Sequence, residues 1–300
     1  MWRAGKRMKH PDLIFDVGLH RGEDSDFYLR KGFRVVAFEA DPENADFCRG
    51  RFRGFINEQQ LTIIEGAIID PATLKPGQRT VSFFKNDGVS VWGTVRSDWA
   101  QRNEECGASS RLIQVEVVDF AAALRQHGIP HYLKVDIEGC DLVCVRALKG
   151  FAERPNYVSF ESDKTSLERI KAEIDLLSEL GYERFQAVEQ SSVGAQLPPS
   201  PAREGKYVKH KFEEGCSGLF GAELGDCWRS RKQIIRQYRL IRLAYYLLGD
   251  NGLLRERRSR CARHLALCVQ RVLERLTGAA VPGWFDTHAR LDLKGTRSAG

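Results

Sequence analysis
Short apolar runs rich in β-branched and aromatic residues alternate with helical patterns over roughly the first 190 residues. The runs predict strands at Leu13–Val17, Arg34–Phe38, Leu61–Glu65, Val81–Phe84, Gln114–Val118, Tyr132–Asp136, Tyr157–Glu161 and Arg184–Val188. Helices are predicted after Asp24, at Pro42–Arg53, at Phe120–His127 and at Ser166–Leu180. In the last of these Leu167, Ile170, Ile174, Leu177 and Leu180 recur at the helical period. Gly128, with Pro130 beyond it, and Gly181 mark helix ends. Near-continuous apolar strands separated by helices predict an α/β fold: a parallel sheet with helices on both faces. Such sheets bind ligands beyond the carboxyl ends of their strands, so the residues just after each strand carry the candidate chemistry.

The pattern changes after residue 195. Gln196–Lys211, with Pro198, Pro199 and Pro201, reads as a loop or flap, and Lys211–Gly221 returns toward a final edge strand or loop. From Arg229 two helices follow, joined by Gly249-Asp250-Asn251-Gly252. Ile234, Tyr238, Ile241, Tyr245 and Leu248 form one apolar stripe; Cys261, Leu265, Cys268, Val272 and Leu276 form a second. The expected division is an α/β domain followed by a basic helical extension over 228–300.

Charge sharpens that division. The chain of 300 residues carries a formal charge of +6, yet Trp228–Thr277 alone holds thirteen Lys or Arg against Asp250, Glu256 and Glu274, a net +10. The other 250 residues carry −4, which weakens a chain-wide nucleic-acid reading. No window offers the roughly 20 apolar residues of a membrane span. The basic start, Met1–His10, lacks the apolar stretch of a secretory signal. Eight Cys show no CxxC pair and no zinc-finger spacing, and free thiols in a reducing cytoplasm are expected.

The strongest chemical signal is Leu13-Ile14-Phe15-Asp16-Val17-Gly18-Leu19-His20-Arg21-Gly22-Glu23-Asp24-Ser25, a strand ending in an acid and a glycine turn opening a helix. A second strand ends in Phe38-Glu39-Ala40-Asp41-Pro42, where a carboxylate can accept hydrogen bonds from both hydroxyls of a ribose. The Gly-x-x-x-Gly spacing departs from the dinucleotide fingerprint, and that disfavours a nicotinamide-dependent oxidoreductase. Asp16 before the first glycine would repel a pyrophosphate and suits a cationic, amino-acid-bearing ligand. S-adenosylmethionine has both a ribose and a positive end.

On these residues the chain resembles FkbM-type S-adenosylmethionine-dependent methyltransferases, a branch of the Rossmann-like class I methyltransferases. The resemblance spans about residues 11–225 and also rests on Val118-Asp119-Phe120, Leu133-Lys134-Val135-Asp136-Ile137-Glu138-Gly139 and Ser217-Gly218-Leu219-Phe220-Gly221. It implies a mostly parallel seven-stranded sheet. It also implies that Asp16, Gly18 and Gly22 line the methionine side of the cofactor, within a motif that includes Ser25. Glu39 would hold the ribose and Gly66-Ala67 would lie beside the adenine. His20 stands where the family more often has Asn; both can hydrogen-bond.

Asp136 and Glu138 follow the strand beside the cofactor and are the candidate catalytic residues, with Asp136 as cofactor orienter or base and Lys134 as its candidate partner. Asp136, Glu138 and Glu161 are hard oxygen donors, but their spacing does not demand a metal, and none is expected. Asn86–Trp92 reads as a polar loop over the site, with Trp92 able to stack on an acceptor. The resemblance implies O-methylation of a hydroxyl on a sugar, a lipid-linked glycan or a secondary metabolite. The alternative is an S-adenosylmethionine binder that acts through the basic helices at 228–277, as a membrane-surface or protein-binding module.

Overall fold
Alternation along the first strand explains how the sheet is buried on both sides. Phe15 and Val17 enter one apolar core while Ile14, between them, enters a second on the opposite face. The computed structural model describes residues 9–86, 93–105, 107–137, 139–163, 166–213, 215–249, 252–254 and 260–292. Its strands are β1 (Lys9–Val17), β2 (Arg34–Glu39), β3 (Leu61–Glu65), β4 (Thr80–Asn86), β5 (Ser110–Glu116), β6 (Ile129–Val135), β7 (Tyr157–Glu161), β8 (Tyr182–Glu189) and β9 (Phe285–Leu291). The helices are α1 (Glu23–Arg30), α2 (Pro42–Arg51), α3 (Arg53–Asn57), α4 (Ser97–Glu105), α5 (Phe120–His127), α6 (Asp141–Ala147), α7 (Leu167–Glu179), α8 (Arg231–Leu248) and α9 (Arg260–Thr277).

Seven strands form one sheet in the order β3-β2-β1-β6-β7-β9-β8. All are parallel except β9, which runs antiparallel to both neighbours. Two predicted strands leave this sheet: β4 and β5 form a separate two-stranded sheet, paired from Thr80↔Glu116 to Asn86↔Ser110. On one face the core gathers Leu124 of α5, Val145 of α6, Ile174 of α7 and Tyr238 of α8. On the other, Phe27 of α1 and Cys48 of α2 are joined by Val208, Phe212 and Phe220. The Pro-rich stretch and the residues after it thus cover part of that face where a helix would otherwise lie. An ion pair with both side chains fully buried, Lys31 Nζ to Glu223 Oε1 at 2.6 Å, pins this segment to the end of α1.

The helix ends follow local chemistry. Asp41, Asp119 and Ser166 cap α2, α5 and α7 by accepting the N–H of Glu43, Ala122 and Arg169. Gly128, at φ 92°, stops α5.

Residues 228–300 depart from the expected appended extension. β9 enters the sheet between β7 and β8, with Glu161↔Asp286 and Val188↔Asp286 among its pairs. Phe285, Thr287 and Ala289 alternate with Asp286 and His288, and all five are buried because the strand is covered on both faces. Helix α8 packs its predicted stripe into the core through Ile234, Tyr238 and Ile241, and the Tyr238 hydroxyl lies 2.5 Å from Thr287 Oγ1 of β9. The second stripe behaves differently. In α9 Leu273 and Thr277 are buried, whereas Val272 and Leu276 are 55% and 59% exposed. Cys268 is exposed too, and the side chains of Cys261 and Leu265 lie outside the described residues.

A chain ending at residue 278 should therefore not reach the native fold, because it lacks an internal strand of the sheet. Circular dichroism and dye binding on that truncation check this; a native-like, cooperatively unfolding product would contradict the topology.

Candidate functional site
The carboxyl ends of β1, β2 and β6 meet at one point, and glycine makes the meeting sterically feasible. Gly18 has φ +93°, and a Cβ there would lie 2.0 Å from the carbonyl oxygen of Asp136. The chain then turns through His20, also at positive φ (50°). That conformation is populated mainly by Gly, Asn, Asp and His, so His suits a position where Asn is the commoner choice. The turn directs the His20 N–H to Glu39 Oε2 at 2.7 Å, while the Asp41 N–H reaches Glu39 Oε1 at 2.8 Å. Glu39 is thereby fixed with free lone pairs on both oxygens. Burial pushes its carboxyl up to about 7, against the opposing pull of those two N–H groups.

Gly18, His20, Glu39, Gly66, Ala67 and Asp136 line one open cleft of about 1500 Å³. Gly66, at φ +135°, carries no side chain where a Cβ would strike the Glu116 carbonyl at 2.6 Å. Asp16, Gly22 and Ser25, expected on the ligand side, are not among the residues that line it. Asp16 and Ser25 are fully buried beneath the turn, with Ser25 Oγ donating to Asp16 Oδ2 at 2.6 Å. Gly22, at φ +81°, precedes α1 and faces the Phe52 ring. β1 ends at Val17, and the turn from Gly18 onward passes over the buried Asp16 side chain.

Under the turn lies a cation the sequence reading placed too narrowly. Lys134 Nζ is 3.2 Å from Asp16 Oδ1 and 3.3 Å from Asp24 Oδ2, and it donates to the Gly18 carbonyl at 3.0 Å. Its expected partner, Asp136, is the most distant of the three carboxylates at 3.9 Å. Burial alone would lower the Lys134 ammonium, but the three carboxylates hold it well above its ordinary range. Asp24 accepts the Ser217 N–H at 2.9 Å, and burial raises its carboxyl to about 6 despite Lys134. Both Asp24 and Lys134 reach the cleft wall.

A second group of acids closes the far side. Asp136 is the first residue past β6, with its side chain 45% exposed in the cleft. Behind it Asp141 accepts the Ile137 N–H at 3.2 Å and the Gly139 N–H at 3.3 Å, holding the loop, and burial pushes its carboxyl up to about 7. Glu161 ends β7 and Asp286 lies opposite it on β9; both line the cleft. Asp286 is 9% exposed, and burial together with Asp136 and Glu161 raises its carboxyl well above the usual range. In sequence, Trp284–His288 reads as a short anchor after Pro282, not as a strand. The alternation of Phe285, Thr287 and Ala289 with polar residues after Pro282-Gly283 was the available signal. Trp99, Tyr245 and Trp284 add aromatic surface to the cleft. Glu138 and the loop residues 87–92, Trp92 included, lie outside the described residues. Among the described residues no group of three or more His, Cys, Asp or Glu is arranged to hold a metal ion.

The model of the methyltransferase FkbM domain family matches residues 16–184. No curated protein matches the chain in sequence. Among solved structures, the chain is similar to a precorrin-6y C5,15-methyltransferase from Geobacter metallireducens at 12% identity, covering 60% of this chain and 69% of that one with a TM-score of 0.32. It is similar also to a precorrin 8w decarboxylase from Methanobacterium thermoautotrophicum at 14% identity, covering 67% and 77%, with a TM-score of 0.33. At such scores neither likeness bears on what this chain does.

Lys134→Ala would leave Asp16 and Asp24 buried without a counter-charge, at a cost of about 3–5 kcal/mol. Urea unfolding should show this loss near neutral pH and a smaller one in acid, where Asp24 takes up a proton. An unchanged midpoint across that range would remove Lys134 from its central place.

Proposed function
The chain belongs to the methyltransferase FkbM domain family, and from that premise we propose that it transfers the methyl group of S-adenosylmethionine to a hydroxyl of a small-molecule or glycan acceptor. The observation that carries the reading is Glu39, a buried carboxylate fixed by two backbone N–H groups and open to the cleft. Such an acceptor suits the paired hydroxyls of a ribose. Gly66 and Ala67 provide a wall without bulky side chains for the adenine. Eight of the described residues lining the cleft are Asp or Glu, against Lys134 and Arg102, a balance that favours a cationic cofactor over a pyrophosphate.

S-adenosylmethionine, when bound, supplies an electrophilic methyl group. The chain's own residues supply position and a proton acceptor. Gly18 and His20 shape the cofactor end, and Lys134 sets the turn from below. Asp136 stands where it can orient the cofactor or take the proton of an acceptor hydroxyl, with Glu138 as the second candidate. Glu161 and Asp286 extend the acidic surface toward the acceptor, and Trp284 and Tyr245 offer apolar faces against which a ring can lie. In-line transfer depends chiefly on holding the acceptor at the right distance and angle, so a rigid floor made of strand ends suits the chemistry.

Three measurements test this reading. Calorimetry should show binding of S-adenosylhomocysteine to the folded protein, weakened in Glu39→Ala by about ten- to a hundredfold; no binding by the wild type would end the assignment. Ribose hydroxyls favour the ionised Glu39, whose carboxyl sits near 7 in the free protein. Affinity should therefore be full above that pH and fall by up to about tenfold per unit below it. A flat profile would mean that Glu39 does not meet the ligand. In a labelled-methyl assay over uncharged hydroxyl-bearing acceptors, Asp136→Asn should lose about 100-fold or more in turnover while still binding S-adenosylhomocysteine. Full turnover by Asp136→Asn would exclude it as the base.

A further inference from the structure
Helices α8 and α9 pack against each other and bury one side each, but their outer sides are not simply polar. On α8, Leu243 and Tyr246 are 45% and 62% exposed. On α9, Leu267, Val272 and Leu276 are 49%, 55% and 59% exposed; Val272 and Leu276 lie one turn apart, and Leu267 lies at the opposite edge of the exposed half of the helix. Arg236 and Arg239 on α8, and Arg271 and Arg275 on α9, are exposed among them. A solvated helix face would carry charge without large apolar side chains, and a face made for another folded domain would be depleted of charge at its centre. Interleaved Leu, Val, Tyr and Arg is the composition of a helix face that lies in a bilayer interface: apolar groups enter the acyl boundary while guanidinium groups meet lipid phosphates. No helix among the described residues is long and apolar enough to cross a membrane, so contact would be along the surface.

We propose that the outer face of α8 and α9 docks the protein on the surface of a bilayer containing anionic lipid. Charge complementarity supports this occupant over a second copy of the chain, since two such faces brought together would oppose Arg to Arg in a segment of net +10. The face starts at the rim of the cleft: Tyr245 lines the cleft, and Tyr246, the next residue on α8, projects to solvent. The docking itself is independent of methyl transfer.

Co-sedimentation of the full chain with vesicles tests it. Binding is expected to vesicles containing about 30 mol% phosphatidylserine in neutral phosphatidylcholine, and to fall as salt is raised from about 0.1 to 0.5 M. Arg271→Gln combined with Arg275→Gln should reduce partitioning by about tenfold or more. Leu267→Ser, Val272→Ser and Leu276→Ser together should abolish it, with the unfolding midpoint and S-adenosylhomocysteine affinity unchanged; if this triple variant does not fold, the charge variant decides. Three results would overturn the proposal: no sedimentation with anionic vesicles, equal binding to neutral ones, or dimerisation through this face in sedimentation equilibrium. If vesicle binding held while S-adenosylhomocysteine binding failed, the methyltransferase reading would fall and the docking face would stand.

Discussion
A single ammonium, that of Lys134, holds the ligand end of the sheet together. It sits under the β1 turn within 3.3 Å of Asp16 and Asp24 and bonds the Gly18 carbonyl. Three structural units converge on it: the end of β1, the start of α1, and β6, which carries the lysine itself. Through Asp24 it reaches a fourth, the segment around Ser217. Without the cation the two aspartates would repel each other in a buried site, and the turn that aims the His20 N–H at Glu39 would lose its floor. The position of Glu39 in the cleft thus depends on a charge several side chains away. A buried ion cluster of this kind is a poor source of net stability but a strong constraint on geometry, because few other arrangements satisfy all its members.

Much of the fold was legible because both faces of the sheet are covered. Leu13–Val17, Tyr132–Val135 and Tyr157–Phe160 are almost wholly apolar, and a run of that kind can only be an internal strand or a buried helix. β9 escaped because its neighbours in space supply what its sequence lacks. Asp286, Thr287 and His288 look like surface residues, yet His288 is 1% exposed, and burial lowers its imidazole to about 3 so that it sits in the sheet uncharged. The period-two signal was present but short, and it followed about 95 residues of helix and loop.

At the site, the motif residues divide between the cleft and the interior. Glu39, Gly18 and Asp136 line the cleft, whereas Asp16 and Ser25 face the interior. A motif encodes residue types at fixed spacing; which of them face a ligand depends on the turn and on a partner, Lys134, more than a hundred residues away. The same gap separates the two C-terminal stripes. Periodicity identifies an apolar face on α8 and on α9 alike, but only contact with the sheet distinguishes the face that is covered from the one that is not.

The place of β9 in the sheet also constrains how the protein can be made. Strands β7 and β8 are neighbours in the chain, yet the slot between them is filled by residues 285–291, which leave the ribosome about a hundred residues after β8. Until then the nascent sheet carries a gap, and the two acids that face each other across it, Glu161 and Asp286, cannot meet. Pairing of such long sequence separation is slow and leaves strand edges open while it waits. That side of the cleft is therefore completed only after β9 has been made.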